Sequence, residues 1–247
     1  MYFIVFDLEL NQDFSSLQNI DMKRSANLFE IIQIGAVKLD SELNTVSTFN
    51  RYIKPVIYKD ISPFITELTG ITTGQLQGEE NFPEVYKSFI EFISGIDSVF
   101  CTWGMSDVKE LFSNAEEHKL SSKLLPRKFI NLQPYVSLYF NFSSKNLLRL
   151  EHAVKALSLS TSYDFHNALY DAYYTAEIFK KIYNPFIQPK IYDPAYKPVK
   201  LRQPKKIIDT EGLINQFEKM YSRKMTEEEQ SIILLAYKMG KTGQFLK

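Results

Sequence analysis

Asp7 and Glu9 stand two residues apart at the tail of an apolar run, MYFIVFDLELNQD. On a strand, residues two apart point to one face, so these carboxylates would sit side by side with Leu8 turned away. Burying ionised carboxylates is costly unless a cation or a hydrogen-bond donor is close. Taken alone, the pair reads as a solvated strand end. Two further acids bear on the choice. Asp107 comes just after the apolar stretch DSVFCTW, where a helix starts; alone it reads as a first-turn acid favoured by the helix dipole. Asp171 lies in NALYDAYYTAEIF, on the helical face that carries Ala168, Thr175 and Ile178. The small residues Ala168, Ala172 and Ala176 would let this helix approach a sheet closely, and an acid in that setting calls for a cation. His166 shortly precedes Asp171. If both were helical they would point about 140° apart, so they share a site only with His166 on the loop entering the helix. His118 and His152 read as surface or capping residues.

Four carboxylates and a histidine, without cysteine ligands, suit hard cations such as Mg²⁺ or Mn²⁺. The chemistry that uses such a set is two-metal phosphoryl transfer. Ions ~3.5–4 Å apart activate a water and stabilise the leaving oxygen of an in-line displacement. A histidine, whose unperturbed pKa lies near neutrality, then supplies general-base help.

The elements that must position these residues follow from periodicity. Residues 2–8, 29–40 and 45–53 read as three strands with short turns, an antiparallel opening to the fold. FPEVYKSFIEFI (82–93) reads as a helix with Pro near its start, and DSVFCTW (97–103) as a short buried strand. A helix begins near Ser106 or Asp107, KFINL (128–132) is a further strand candidate, and 146–159 is amphipathic. The helix over 167–183 stops at Asn184-Pro185. Strands that run in series and then alternate with helices argue for an α/β sheet of mixed direction. From residue 185, Pro185, Pro189, Pro194, Pro198 and Pro204 mark a linker. It ends in KPVKLRQPKK, which holds Lys197, Lys200, Arg202, Lys205 and Lys206 and no acid. Two short helices follow, one over Thr210–Tyr221 and one begun by the capping-box pattern Thr226-x-x-Glu229. We expect this pair to dock on the core.

The 247 residues are 45% hydrophobic and 23% charged, with 29 basic against 29 acidic side chains, so phosphate contact must come from a local patch or a metal. Cys101 is the only cysteine, which rules out an intrachain disulfide and a cysteine-based zinc site. The N-terminus lacks a signal-peptide pattern and no apolar run approaches a membrane span, so the sequence suggests a cytoplasmic protein without a membrane partner.

The ordered set Asp7-x-Glu9, Asp107, His166 and Asp171 resembles the DEDDh branch of the DnaQ-like 3′–5′ exonucleases. Within it, the chain is most similar to the Eri1-like (3′hExo-like) exoribonucleases and their bacterial KapD-type relatives. FEIIQIGAV, ELTGIT (67–72), ENFPEVYKSFIEFI, TWGMSD (102–107), FINLQPY (129–135) and HNALYDAYYTA carry the resemblance, over about residues 1–184. It implies an RNase H-like fold: a mixed central sheet flanked by helices, here with a C-terminal helical extension over 207–247 beyond the 185–206 linker. It also implies that Asp7, Glu9, Asp107 and Asp171 hold two Mg²⁺ or Mn²⁺ ions, that Glu9 and His166 are catalytic, and that His166 is the general base. Leu10, Leu68 and Thr69 occupy the positions that contact the terminal nucleotide, although loop packing explains them as well. Ser106 departs from relatives that carry an aromatic residue there, so base stacking comes from elsewhere or is absent. The implied substrate is the 3′ end of single-stranded nucleic acid, RNA first and DNA as the alternative. The basic stretch from Lys197 to Lys206 is a candidate for phosphate contacts. A nucleic-acid-binding module that has lost catalysis is a further alternative, opposed by the intact set of five residues.

Overall fold

A computed structural model of the chain describes residues 1–12, 29–94, 97–142, 147–196 and 209–241. It divides into two units, Met1–Tyr196 and Lys197–Lys247. The first is built on a six-stranded sheet in the order β3-β2-β1-β4-β5-β6. Its strands are β1 (Tyr2–Asn11), β2 (Glu30–Leu39), β3 (Thr45–Tyr52), β4 (Ser98–Thr102), β5 (Lys128–Asn131) and β6 (Lys190–Ile191). β1 to β3 form the expected antiparallel series. β4 and β5 add in parallel on the other side of β1, and β6 closes that edge antiparallel. The sheet is therefore mixed, as an α/β fold of this kind requires.

β1 explains the placement of the acids. Its alternation sends Ile4, Phe6 and Leu8 to a face shared with Val85 and Phe89 of α3 (Phe82–Ile93) and with Val108 and Leu111 of α4 (Ser106–Glu117). Phe3 and Val5 face the other way, against Ala172, Ala176 and Phe179 of α7 (Ala168–Ile182). Asp7 and Glu9 continue the odd-numbered row, so the strand period aims both at the α7 side. The strand runs three residues past the 2–8 expected, to Asn11, and its pairing with β2 shifts register between Glu9 and Leu10. Such a bulge re-aims side chains at a strand end.

Several elements escape the pattern of the sequence. α1 (Pro63–Thr69), α2 (Thr73–Leu76) and α5 (Leu132–Tyr139) are helices of about two turns or fewer, too short for a sustained apolar periodicity. Of the expected 146–159, residue 146 lies outside the described residues, and α6 spans only Leu150–Ala156, because Arg149 is extended and Ser158 turns left-handed at φ 52°. Lys190 and Ile191 fall in the expected linker yet pair with β5, so the first unit runs on to Tyr196.

In the second unit, α8 (Thr210–Tyr221) is capped by the Asp209 carboxylate, which accepts from the Gly212 N–H at 2.7 Å. The capping box expected at the start of α9 (Glu227–Lys241) is formed: the Thr226 N–H donates to Glu229 at 2.9 Å and the Glu229 N–H donates to the Thr226 hydroxyl at 3.3 Å. Among the described residues no helix is long and apolar enough to cross a membrane.

Candidate active site

The end of β1 is where the acids meet. Carboxylate oxygens of Asp7, Glu9 and Asp171 all lie within 4.8 Å of one another. Asp107 stands beside this trio and raises the pKa of Asp7 and of Glu9 by its charge. Glu9, Asp107 and Asp171 are buried and Asp7 is half-buried. The structure thus brings together all four acids that the sequence singles out.

Two local devices bring Asp171 to β1. Gly35 pairs with Asp7 across the β1–β2 ladder. A Cβ at Gly35 would run into the backbone of Ala168 and Leu169, so the first turn of α7 rests directly on β2 at that point. Only glycine permits this approach, and it sets Asp171 one turn further along, over Asp7 and Glu9. The second device is a polar clamp. Gln33, paired with Glu9 in register and fully buried, accepts the Ala168 N–H at 3.2 Å. Its amide nitrogen donates to Asn50 at 2.9 Å and to Asn167 at 3.3 Å. Asn167 caps α7 by accepting from the Leu169 N–H at 3.1 Å and donates to the Tyr52 hydroxyl at 3.3 Å. The sequence offered a signal for each: a glycine inside a β-branched run, and an asparagine before a helical pattern.

Asp107 is placed by the turn between β4 and α4. Gly104 adopts φ 110°, which L side chains avoid, and its N–H donates to Asn131 at 3.0 Å. The Thr102 hydroxyl donates to the Gly104 carbonyl at 2.7 Å. α4 therefore starts immediately above the strand ends, with Asp107 in its first turn.

His166 sits on the loop entering α7, the one arrangement that lets it share the site with Asp171. It is exposed, with φ 64°, and its backbone N–H donates to Asp171 Oδ2 at 3.2 Å. The loop is pinned on the far side by the buried Tyr174, whose hydroxyl accepts from the Tyr163 N–H at 2.8 Å and donates to the Tyr163 carbonyl at 2.7 Å. Phe165 stacks on the Tyr174 ring with centroids 4.9 Å apart.

The electrostatics of this cluster are those of a cation site. Burial, with the charges of Asp171 and Asp107 added, pushes the Glu9 carboxyl up to about 8. Burial pushes Asp107 up to about 7, against hydrogen bonding by its own backbone and that of Leu8. Asp171 is pushed up to about 6 by burial, opposed by the His166 N–H. Asp7 is raised well above the usual carboxylate range by burial, then by its three acidic neighbours. Asp171 Oδ1 is buried without a hydrogen-bond partner among the described residues. A buried acceptor without a donor is costly unless a ligand satisfies it. Hard oxygen donors, mutual repulsion and this orphaned oxygen together fit a divalent cation.

The remaining expected contacts are more dispersed. Leu10 is half-buried and packs against the α3–α4 core. Leu68 is 41% exposed on α1. The Thr69 hydroxyl donates to the Ile65 carbonyl at 2.8 Å and accepts the Ile71 N–H at 3.1 Å, closing the end of α1. Lys197, Lys200, Arg202, Lys205 and Lys206 lie outside the described residues.

Residues 4–179 match the Exonuclease family, RNase_T. Among curated relatives, the Mus musculus ERI1 exoribonuclease 3 is 29% identical over 198 residues, covering 75% of this chain and 55% of the relative. The DNA polymerase III PolC-type of Caldanaerobacter subterraneus subsp. tengcongensis is 32% identical over 180 residues, 73% of this chain and 11% of the polymerase. The chain spans about half the length of the exoribonucleases it matches. The nuclease domain of 3′hExo, a DEDDh family member solved with rAMP bound, superposes with a TM-score of 0.65 at 22% identity, over 78% of this chain and 96% of that one. E. coli Exonuclease I in complex with a dA16 oligonucleotide gives a TM-score of 0.57 at 18% identity, over 72% and 40%. These two likenesses establish the RNase H-like exonuclease fold.

Proposed function

The chain belongs to the Exonuclease family, and on that footing we propose that it is a divalent-metal-dependent 3′–5′ exonuclease acting on single-stranded nucleic acid, RNA in the first place. The observation that carries the proposal is the carboxylate trio within 4.8 Å, with Asp107 beside it. The RNA reading is supported by the exoribonuclease relatives, and the DNA alternative by the PolC-type relative.

In this reading Asp7, Glu9, Asp107 and Asp171 hold two Mg²⁺ or Mn²⁺ ions. Bound there, the ions supply charge stabilisation at the scissile phosphate and a stronger water nucleophile. The chain's own contribution is placement. Gly35 and the Gln33 clamp set α7, α7 sets Asp171, and the Asp171 carboxylate anchors the backbone of His166. In this reading the exposed His166 imidazole accepts the proton of the attacking water. Leu10, Leu68 and Thr69 flank the terminal nucleotide, and Lys197, Lys200, Arg202, Lys205 and Lys206 contact phosphates further upstream.

The test is an incubation of RNA and DNA oligomers of one sequence, with Mg²⁺, with Mn²⁺ and with EDTA. The proposal expects mononucleotides released with either ion, faster from RNA, and none with EDTA. Faster DNA shortening would favour the alternative substrate, and hydrolysis in EDTA would overturn the metal requirement.

A further inference from the structure

Among the described residues, Glu30 is the one buried carboxylate that lies outside the acid cluster. It opens β2 and is 2% exposed. Its Oε1 accepts the N–H groups of Val56 and Ile57 at 2.5 and 2.8 Å, and its Oε2 accepts that of Tyr58 at 3.0 Å. A buried carboxylate is costly unless donors meet it, and here three consecutive backbone donors do. Across the ladder Glu30 pairs with Asn11, which is fully buried at the end of β1. The Asn11 amide nitrogen donates to the Asp60 carbonyl at 3.2 Å, and its oxygen accepts the Ser62 N–H at 3.0 Å. Two neighbouring side chains of the sheet therefore tie down the segment 56–62, which leads into α1. α1 and α2 close a small apolar cluster of their own, in which Ile61, Ile65, Ile71 and Leu76 pack on Ile32 of β2. Asn11 stands two residues beyond Glu9 on β1, so this small body is fixed at the strand end that carries the acids.

We propose that Glu30 and Asn11 are positioning residues for the substrate. They fix α1 as a rigid wall against which the terminal nucleotide is held, and so govern binding of that nucleotide and not the chemical step. The inference rests on the exonuclease reading and on Leu68 and Thr69, at the end of α1, flanking that nucleotide. Directional hydrogen bonds to two buried side chains fix the register of the segment as well as its depth, which apolar packing alone leaves adjustable. Among the described residues these bonds run to the segment and none to the four acids, so losing them leaves the metal ligands in place.

Glu30→Gln in the full chain tests this. Whichever way the amide turns, its NH2 replaces an oxygen that accepts a backbone N–H, so donor faces donor and the latch opens on that side. Asn11→Leu, uncharged and similar in size, removes the second latch without touching the first. Both variants are assayed on a short RNA with Mg²⁺, with AMP as a competing product, below the melting temperature of each; Mn²⁺ is titrated by calorimetry. For each, KM for RNA and the inhibition constant for AMP should rise about tenfold with kcat and Mn²⁺ affinity unchanged, the signature of lost uniform binding. A purely structural role would lower the melting temperature and leave AMP binding as it was. RNA and AMP held as tightly as by the wild type would therefore overturn the inference, and so would a fall in kcat or Mn²⁺ affinity in step with the rise in KM. Should Glu30→Gln fail to fold, Asn11→Leu decides alone. A wild-type chain that leaves the RNA intact would instead defeat the exonuclease reading, and the inference with it.

Discussion

Four carboxylates gathered at one strand end cannot all stay ionised without a cation, and this gives the cluster a pH signature when metal is withheld. The carboxyl groups of Glu9, Asp107 and Asp171 sit at about 8, 7 and 6 in the folded chain, above their ordinary values near 4. A raised folded pKa favours folding fully at pH below the unfolded value, and that contribution is lost as pH climbs through the folded value. In EDTA the melting temperature should therefore fall between about pH 4 and pH 8. Saturating Mg²⁺ or Mn²⁺ should flatten the fall, and Asp171→Asn should make it shallower in EDTA. A melting temperature indifferent both to pH and to metal would remove the electrostatic basis of the site. His166 makes a separate prediction, because its backbone, not its imidazole, touches Asp171. His166→Ala should lower turnover by roughly 10²–10⁴-fold, the usual worth of a general base, and leave Mn²⁺ affinity unchanged in a calorimetric titration. Hydroxide at higher pH should partly replace the missing base. A parallel collapse of metal affinity would make His166 a ligand instead.

Among the elements, the site depends on how closely α7 lies on β2. Gly35→Ala adds one carbon where the Ala168 and Leu169 backbone already sits, so α7 must retreat and take Asp171 and His166 with it. We predict a loss of about 1–3 kcal/mol in a denaturant titration, the usual cost of overpacking, with turnover falling further than stability alone explains. A stable and fully active Gly35→Ala protein would mean that the close approach is not needed. Gln33→Leu should be milder in stability yet lower activity, since it frees Asn167 and the Ala168 N–H from their partner. These contacts show where legibility in the sequence stops. The alternation of β1 and the small face of α7 are local patterns that put Asp7 and Glu9 on one side of a strand and Asp171 on a close-packing helix face, while Asp107 and His166 join the set through the resemblance to the DEDDh exonucleases. That Gly35 would meet Ala168, or Gln33 would hold α7, depends on which helix lands on which strand, and no local pattern carries that. α5 was hidden because KFINL reads as one strand through Leu132, although Asn131 ends the strand and caps the helix by accepting from the Gln133 N–H at 3.1 Å.

Across the whole molecule, the chain joins a unit that holds the acids to a helical pair through a segment rich in lysine and proline. If that segment follows the phosphate backbone, replacing Lys197, Lys200, Arg202, Lys205 and Lys206 by Gln in the full chain should weaken binding of long substrates and spare dinucleotides. The salt dependence of binding to a single strand should flatten by somewhat under one unit of slope for each phosphate no longer neutralised. Equal losses on short and long substrates would assign the segment to support of the fold. Whether the β1 acids and Asp171 form the centre of a 3′–5′ exonuclease is decided by one gel. RNA labelled at its 5′ end is followed over time with Mg²⁺, using the wild-type chain and Asp171→Asn side by side. We predict a ladder shortening one nucleotide at a time from the 3′ end with the wild type, and an intact band with the variant. An Asp171→Asn protein that shortens the RNA at the wild-type rate, or a wild type that releases the labelled nucleotide first, would contradict this assignment.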